Sequence, residues 1–297
     1  MHENYSPTID AIRVSTPPPL LFHYTGPSGL IGILQSKALW ATNVGYLNDT
    51  KELRHAIDYI KNAIENRLRT NSDADQVRAL LKRMLEIEGA APQVYVASLT
   101  EERDLLSQWR AYCPPGGGYA VGFPAQQLRA MAIAQAFLLV PCVYDHQRQY
   151  SVAMEIIQVH VNRFCAALDA GYASEEAIQQ ILEEFIEDTV RYGPILKHRS
   201  FGEEKEWRLI SPVIQLGHPK IRYRPGSNSI IPYVEFNLID KAHPSLIEVG
   251  VPPESLTVIV GPTADTPAGN YALQSILHSC IGMGCWMGSS ETPYRGR

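Results

Sequence analysis

The chain has 297 residues, a formal net charge of −5, 45% hydrophobic residues and 19% charged ones. That balance fits a globular protein able to bury a core, and it supplies no strong basic field for nucleic acid. No apolar run reaches the ~18 residues that a membrane helix needs, and the opening MHENYSPTIDAIRVSTPPPL lacks the basic-then-apolar pattern of a secretory signal. The expected location is cytoplasmic. Cys113, Cys142, Cys165, Cys280 and Cys285 are odd in number and irregularly spaced, so they read as reduced thiols. No CxxC pair occurs, and no metal is expected.

Residues 1–18 read as a flexible polar tail that Pro17, Pro18 and Pro19 stiffen before the first strand, Leu20 to Tyr24. Ser28 suits the cap of a short helix that buries Leu30, Ile31, Ile33 and Leu34, and ALWAT (Ala38 to Thr42) suits a second strand. A loop carries Tyr46, Leu47, Asn48 and Asp49, with Asp49 and Glu52 spaced as a helix cap. Leu53, Ile57, Ile60, Ile64 and Leu68 then form one helical stripe. Asp73 and Gln76 have capping-box spacing for the next helix. VYVASL (Val94 to Leu99) predicts a buried strand, Leu105 to Tyr112 a short helix, residues 114–118 a turn, and YAVGF (Tyr119 to Phe123) a strand.

Phe137 to Tyr144 predicts a strand that Pro141 places at an edge or bulge. Residues 150–198 turn helical, with Ser174 capping the second helix. Strands return at Glu206 to Ile210, Ile230 to Leu238 and Leu256 to Val260, and a helix at Asn270 to Ile281. The order of elements predicts α+β architecture. One domain is expected over 19–297, with a helical insertion at about 150–198. The triple glycine at 116–118 runs into a strand, which is the wrong context for a dinucleotide fingerprint.

Several residue groups could carry chemistry. His23 shares a strand face with Leu21 and Thr25, and suits either a hydrogen-bonded core histidine or one that orients a sugar hydroxyl. Tyr46 suits packing or stacking on a planar ring. Ser107, Gln108, Trp109 and Arg110 lie on one short helix. Glu204, Glu206 and Arg208 share one face under strand alternation, although a solvated charge run would look the same. These residues by themselves define no reaction.

The segment LFHYTGPSGLIGILQSKALWATNVGYLND resembles the start of an uncharacterised, mainly bacterial domain family with HYT, GIL, LWAT and YLND motifs. Ser98-Leu99, LSQWRAY (Leu106 to Tyr112), GYAVGF (Gly118 to Phe123), Lys197-His198 through Glu206-Trp207-Arg208, and Thr292-Pro293-Tyr294-Arg295 are similar to its later signatures.

A strand with His-x-Thr, a short helix with a GIL-like turn and a second strand also resemble, more distantly, the opening of the ADP-ribosyltransferase fold of poly(ADP-ribose) polymerases. That resemblance implies a split β-sheet core and a His, Tyr, Glu triad, matched by His23, Tyr46 and Glu206, with Glu204 as the competing carboxylate. It implies NAD as substrate, held by His23, Tyr24, Thr25, Tyr46, Asn48, Ser98, Ser107, Gln108, Trp109, Glu204 and Arg208, and a protein or nucleic-acid acceptor. No membrane partner is implied. The activity implied is ADP-ribosyl transfer or NAD glycohydrolysis by a bacterial toxin or anti-phage effector. Two alternatives are a non-catalytic nucleotide- or nucleic-acid-binding domain, and an RNA-directed phosphotransferase or nuclease using Lys197, His198, Arg199, Lys205 and Arg208.

Overall fold

The computed structural model describes residues 7–47, 52–86, 93–113, 117–226, 228–239, 256–262, 266–281 and 285–293. In chain order the elements are α1 (Pro7–Arg13), β1 (Leu20–Thr25), α2 (Pro27–Ser36), β2 (Ala38–Asn43), α3 (Glu52–Thr70), α4 (Asp75–Leu85), β3 (Tyr95–Thr100) and α5 (Leu106–Tyr112). Then come β4 (Tyr119–Pro124), α6 (Ala125–Ala134), β5 (Leu138–Pro141), α7 (His146–Asp169), α8 (Glu175–Tyr192) and β6 (Glu206–Ile210). The last are β7 (Arg222–Pro225), β8 (Ile230–Asn237), β9 (Thr257–Val260), α9 (Pro267–Ile281) and β10 (Trp286–Ser289). Short 3-10 turns lie at Val44–Tyr46, Gly193–Ile195 and Arg199–Glu204. The protein is mixed α and β, with one large mixed sheet.

β3 organises the sheet. Tyr95, Val96, Ala97, Leu99 and Thr100 are buried, so both of its faces are covered, as a central strand requires. One edge pairs along its length with β6, which pairs in turn with the edge strand β5. The other edge is shared. β1 meets it only at Phe22↔Thr100, and β2 only at Thr42↔Val96 and Asn43↔Tyr95. Two arms therefore fork from one edge: β10-β9-β4-β1 on one side and β7-β8-β2 on the other. Among the described strands only β9 and β10 pair in parallel.

Helices cover both faces. Buried residues of α1, α3, α4, α7 and α8 pack on Val94, Val96, Val140 and Ile210. Residues of α2, α6 and α9 pack on the opposite face, against Leu39, Tyr95, Ala97, Leu99, Phe123 and Leu209. A smaller cluster of Phe22, Tyr24, Trp109, Ala120 and Ile259 seats α5 on the β1 arm.

Most of the expected elements are found, with instructive departures. The stretch expected as a tail contains α1, whose Ile9 and Ile12 are buried and whose Thr8 and Ile9 amides donate to the Glu155 carboxylate at 3.0 and 2.9 Å. The predicted insertion is α7 and α8, but they share one core with α1, α3 and α4 and are not an appended lobe. Ser174 caps α8 as expected, its hydroxyl accepting from the Ala177 amide. Ser28 does not cap α2: Pro27 begins the helix after Gly26, and Ile31 is exposed. Asp73 pairs with Arg67 at 2.9 Å instead of capping α4. Asn48 and Asp49 lie outside the described residues. α6, β7 and β10 were not anticipated, because their sequences carry weak periodicity. No described helix is long and apolar enough to cross a membrane.

Candidate functional site

The fork creates a slot. Phe22 on β1 lies opposite Thr100 on β3, which lies opposite Glu206 on β6, so these three side chains share one face. Two residues along, Ser98 lies opposite Arg208, while β1 has already diverged. Phe22, His23, Tyr24, Ser98, Leu99, Gln108, Tyr112, Glu204 and Glu206 line the resulting cavity of about 30 Å³. That volume holds one or two waters, so it admits a hydroxyl or an amide and not a whole ring.

His23 meets this slot through the gap between β1 and β3. Its Nδ1 lies 2.9 Å from the Ser98 carbonyl oxygen. A carbonyl only accepts, so Nδ1 carries the proton and Nε2 keeps a lone pair. Burial lowers the pKa of the ring, the Ser98 carbonyl works against that, and the charge of Arg224 lowers it further. The imidazole is therefore neutral at pH 7, with Nε2 as an acceptor.

The two carboxylates are held differently. Glu206, fully buried at the start of β6, receives Arg208 at both oxygens, Nε on Oε1 at 2.7 Å and Nη2 on Oε2 at 3.1 Å. The Lys197 ammonium also bonds Oε2. Burial alone would raise the Glu206 pKa, but the Arg208 and Lys197 charges outweigh it and hold the group at about 2. Glu204 reaches the same ammonium through Oε2 at 2.6 Å, and its Oε1 has no hydrogen-bond partner among the described residues. Lys205 between them takes a left-handed conformation, φ 41° and ψ 51°, which turns the chain from the 3-10 segment into β6. That costs ~1–2 kcal/mol for a residue with a Cβ. It brings both carboxylates onto one lysine.

Aromatic groups close the slot. Tyr24 accepts from the Leu105 amide and donates to the Glu102 carbonyl, both at 2.9 Å, and its ring meets Trp109 edge-on at 4.6 Å. Trp109 is a core residue whose Nε1 donates to Asp104 at 2.7 Å. Tyr112 stands beside the carboxylates: burial, then Glu206 and Glu204, push its hydroxyl up to about 12. Helix α5 presents Gln108 and Tyr112, four residues apart, to the slot. Its other side, with Ser107, Arg110 and Ala111, faces a wider depression that Glu203 completes.

His23, Tyr24, Ser98, Gln108, Glu204 and Glu206 all line this one slot, with Arg208 behind Glu206. Tyr46 is not: it is exposed on the Val44–Tyr46 turn and does not line the slot. Thr25 does not line it either, and its hydroxyl faces Gly29 of α2. Ser107 opens onto the neighbouring depression. Lys197, Lys205 and Arg208, cations of the RNA-directed alternative, each meet a carboxylate. Sequence reasoning missed Tyr112, which its spacing from Gln108 could have revealed. It also missed the pairing role of Lys197, which no local pattern announces.

Residues 108–209 match the family model described as "Protein of unknown function (DUF2971)". The matched span runs from Gln108 to Leu209 and holds Tyr112, Lys197, Glu204, Glu206 and Arg208. His23 and Ser98 come from outside it. No curated protein and no solved structure matches the chain.

Proposed function

We propose that the fork binds NAD and that the protein transfers or hydrolyses its ADP-ribosyl group, with a split-sheet core of the ADP-ribosyltransferase kind. The observation that carries this reading is the unpartnered Glu204 Oε1 in a slot shared with a neutral histidine and aromatic rings. A ribose hydroxyl fits the slot, donating to Glu204 Oε1 or His23 Nε2, while the nicotinamide ring lies at the mouth near Tyr112. The bond between the pyridinium nitrogen and ribose C1′ breaks with its electron pair going to nitrogen. A water or acceptor oxygen forms the new bond at C1′ and gives its proton to the carboxylate or to solvent. A fixed carboxylate stabilises the oxocarbenium character that develops on the sugar.

The roles of the two glutamates are exchanged relative to the expectation from sequence. Glu206 has both oxygens taken and orients Lys197 and Arg208; Glu204 faces the ligand. Mass spectrometry of nicotinamide released from NAD tests this. Glu204→Gln is expected to cut release by ~10²–10³-fold with little change in melting temperature. Release unchanged in that variant, or none from the unaltered protein, sinks the proposal.

One observation favours a second reading, a nucleotide-binding domain without catalysis. The Glu206 carboxylate is closed off by Lys197 and Arg208, which suits a structural ion-pair centre beside a bound nucleotide and not a catalytic group. Calorimetric binding of NAD with no nicotinamide release would select this alternative.

A further inference from the structure

The β2 side of the fork carries a second group of polar side chains on the face of the slot. Thr42 lies opposite Val96 on β3 and opposite Tyr233 on β8, and Trp40 is two residues before it on the same face. Arg224 on β7 reaches across, its Nη2 donating to Thr42 Oγ1 at 3.1 Å. That bond uses the hydroxyl as an acceptor and leaves its proton free to donate. Arg224 is half-buried, its Nε is enclosed without a partner, and no carboxylate among the described residues pairs with it. The neighbouring Arg222 takes Glu235 at 3.2 Å. Trp40 packs on Tyr233 at 5.0 Å, and its Nε1 is likewise enclosed without a partner. A Cβ added at Gly32 of α2 would meet the Trp40 ring at 2.7 Å, so α2 fixes the position of that ring.

These groups offer donors and positive charge, and the carboxylate on the same face, Glu235 opposite Trp40, is taken by Arg222. A half-buried guanidinium without a counter-charge is costly unless an anion compensates it. From Val96, opposite Thr42, to Ser98, which holds His23, is two residues of β3, or roughly 7 Å of strand. A diphosphate spans that distance.

We propose that Arg224, Thr42 and Trp40 form an anion subsite for the diphosphate of a nucleotide whose sugar reaches the Glu204 slot. This rests on the nucleotide reading above and adds Arg224 and its neighbours to it. The guanidinium provides a planar set of donors, suited to bridging phosphate oxygens.

Calorimetry of the full chain with ADP and with inorganic pyrophosphate tests the subsite independently of NAD cleavage. The unaltered protein binds both; Arg224→Gln weakens both at least tenfold, and Arg224→Lys recovers part of the loss. The ligand-free melting temperature of Arg224→Gln stays level or rises, because an unpaired cation is removed. Equal affinity in Arg224→Gln, or no binding of either ligand by the unaltered protein, overturns the subsite even if NAD is cleaved. Loss of NAD cleavage alone, with Arg224-dependent ADP binding retained, overturns the catalytic reading and leaves the subsite standing.

Discussion

Arg208 holds Glu206 by both carboxylate oxygens from two positions along the same strand, with Nε at 2.7 Å and Nη2 at 3.1 Å. Alternation along β6 puts the two side chains on one face, and the Pro194 carbonyl accepts from the far Nη1 of the guanidinium. Truncating one member of such a buried set leaves a charge without compensation, which costs ~3–5 kcal/mol. Arg208→Met and Lys197→Met are each expected to lower stability by that order in urea unfolding at pH 7. A loss below ~1 kcal/mol in both would show that the network is solvated.

His23 makes stability depend on pH in the mildly acidic range. Burial first, and the Arg224 charge after it, depress its folded pKa, while an unfolded imidazole titrates near ~6.5. The unfolded chain therefore binds the proton more readily, and stability is complete above ~6.5 and falls as pH drops from there toward the folded value. Urea midpoints at pH 7.5 and 5.5 should differ less in His23→Asn than in the unaltered protein. The same slope in both would assign the dependence to other groups.

Glu155 ties the N-terminal segment to the helical layer. It receives two backbone amides of α1 from a buried position on α7. Hydrogen bonds to a charged group contribute ~1.5–3 kcal/mol, so Glu155→Ala is expected to destabilise by about that much. Hydrogen exchange should show α1 amides losing protection well before those of α7. Intact α1 protection in the variant would mean that Ile9 and Ile12 suffice to hold it.

Gly32 separates local helix preference from packing. Alanine in a helix interior is normally favoured over glycine by ~0.8–1 kcal/mol. Here the added methyl meets the Trp40 ring, and the indole must move. Gly32→Ala is therefore expected to destabilise, and to weaken ADP binding with it. A more stable variant with unchanged ADP affinity would show that the ring position is not constrained by α2.

The elements with strong periodicity were legible in the sequence. The apolar stripe of α3, the capped α8 and the apolar strands β1, β2 and β3 each carry their pattern locally. α1 was not, because its burial depends on Glu155, far along the chain. The helical character of 150–198 was visible, but its packing with α1, α3 and α4 was not, since periodicity names a buried face without naming what covers it. The same limit applied to the site. His23 and Glu206 stand out as residue types in strands, yet the choice between Glu204 and Glu206 turns on which oxygens Lys197 and Arg208 occupy. Tyr46 matches a motif position, but it lies exposed on a 3-10 turn, whereas Tyr112 of α5 lines the slot.

The two arms of the sheet share β3 and the helix α2 between them, with no strand ladder among the described residues directly joining β1 to β2. A ligand reaching from the His23 side to the Arg224 side would act as a non-covalent staple across that opening. Its binding free energy would be added to the resistance of the arms to separating, in proportion to the logarithm of its concentration over its dissociation constant. Occupancy would then be readable from the mechanics of the sheet itself, as a slowing of hydrogen exchange at β1 and β2 together.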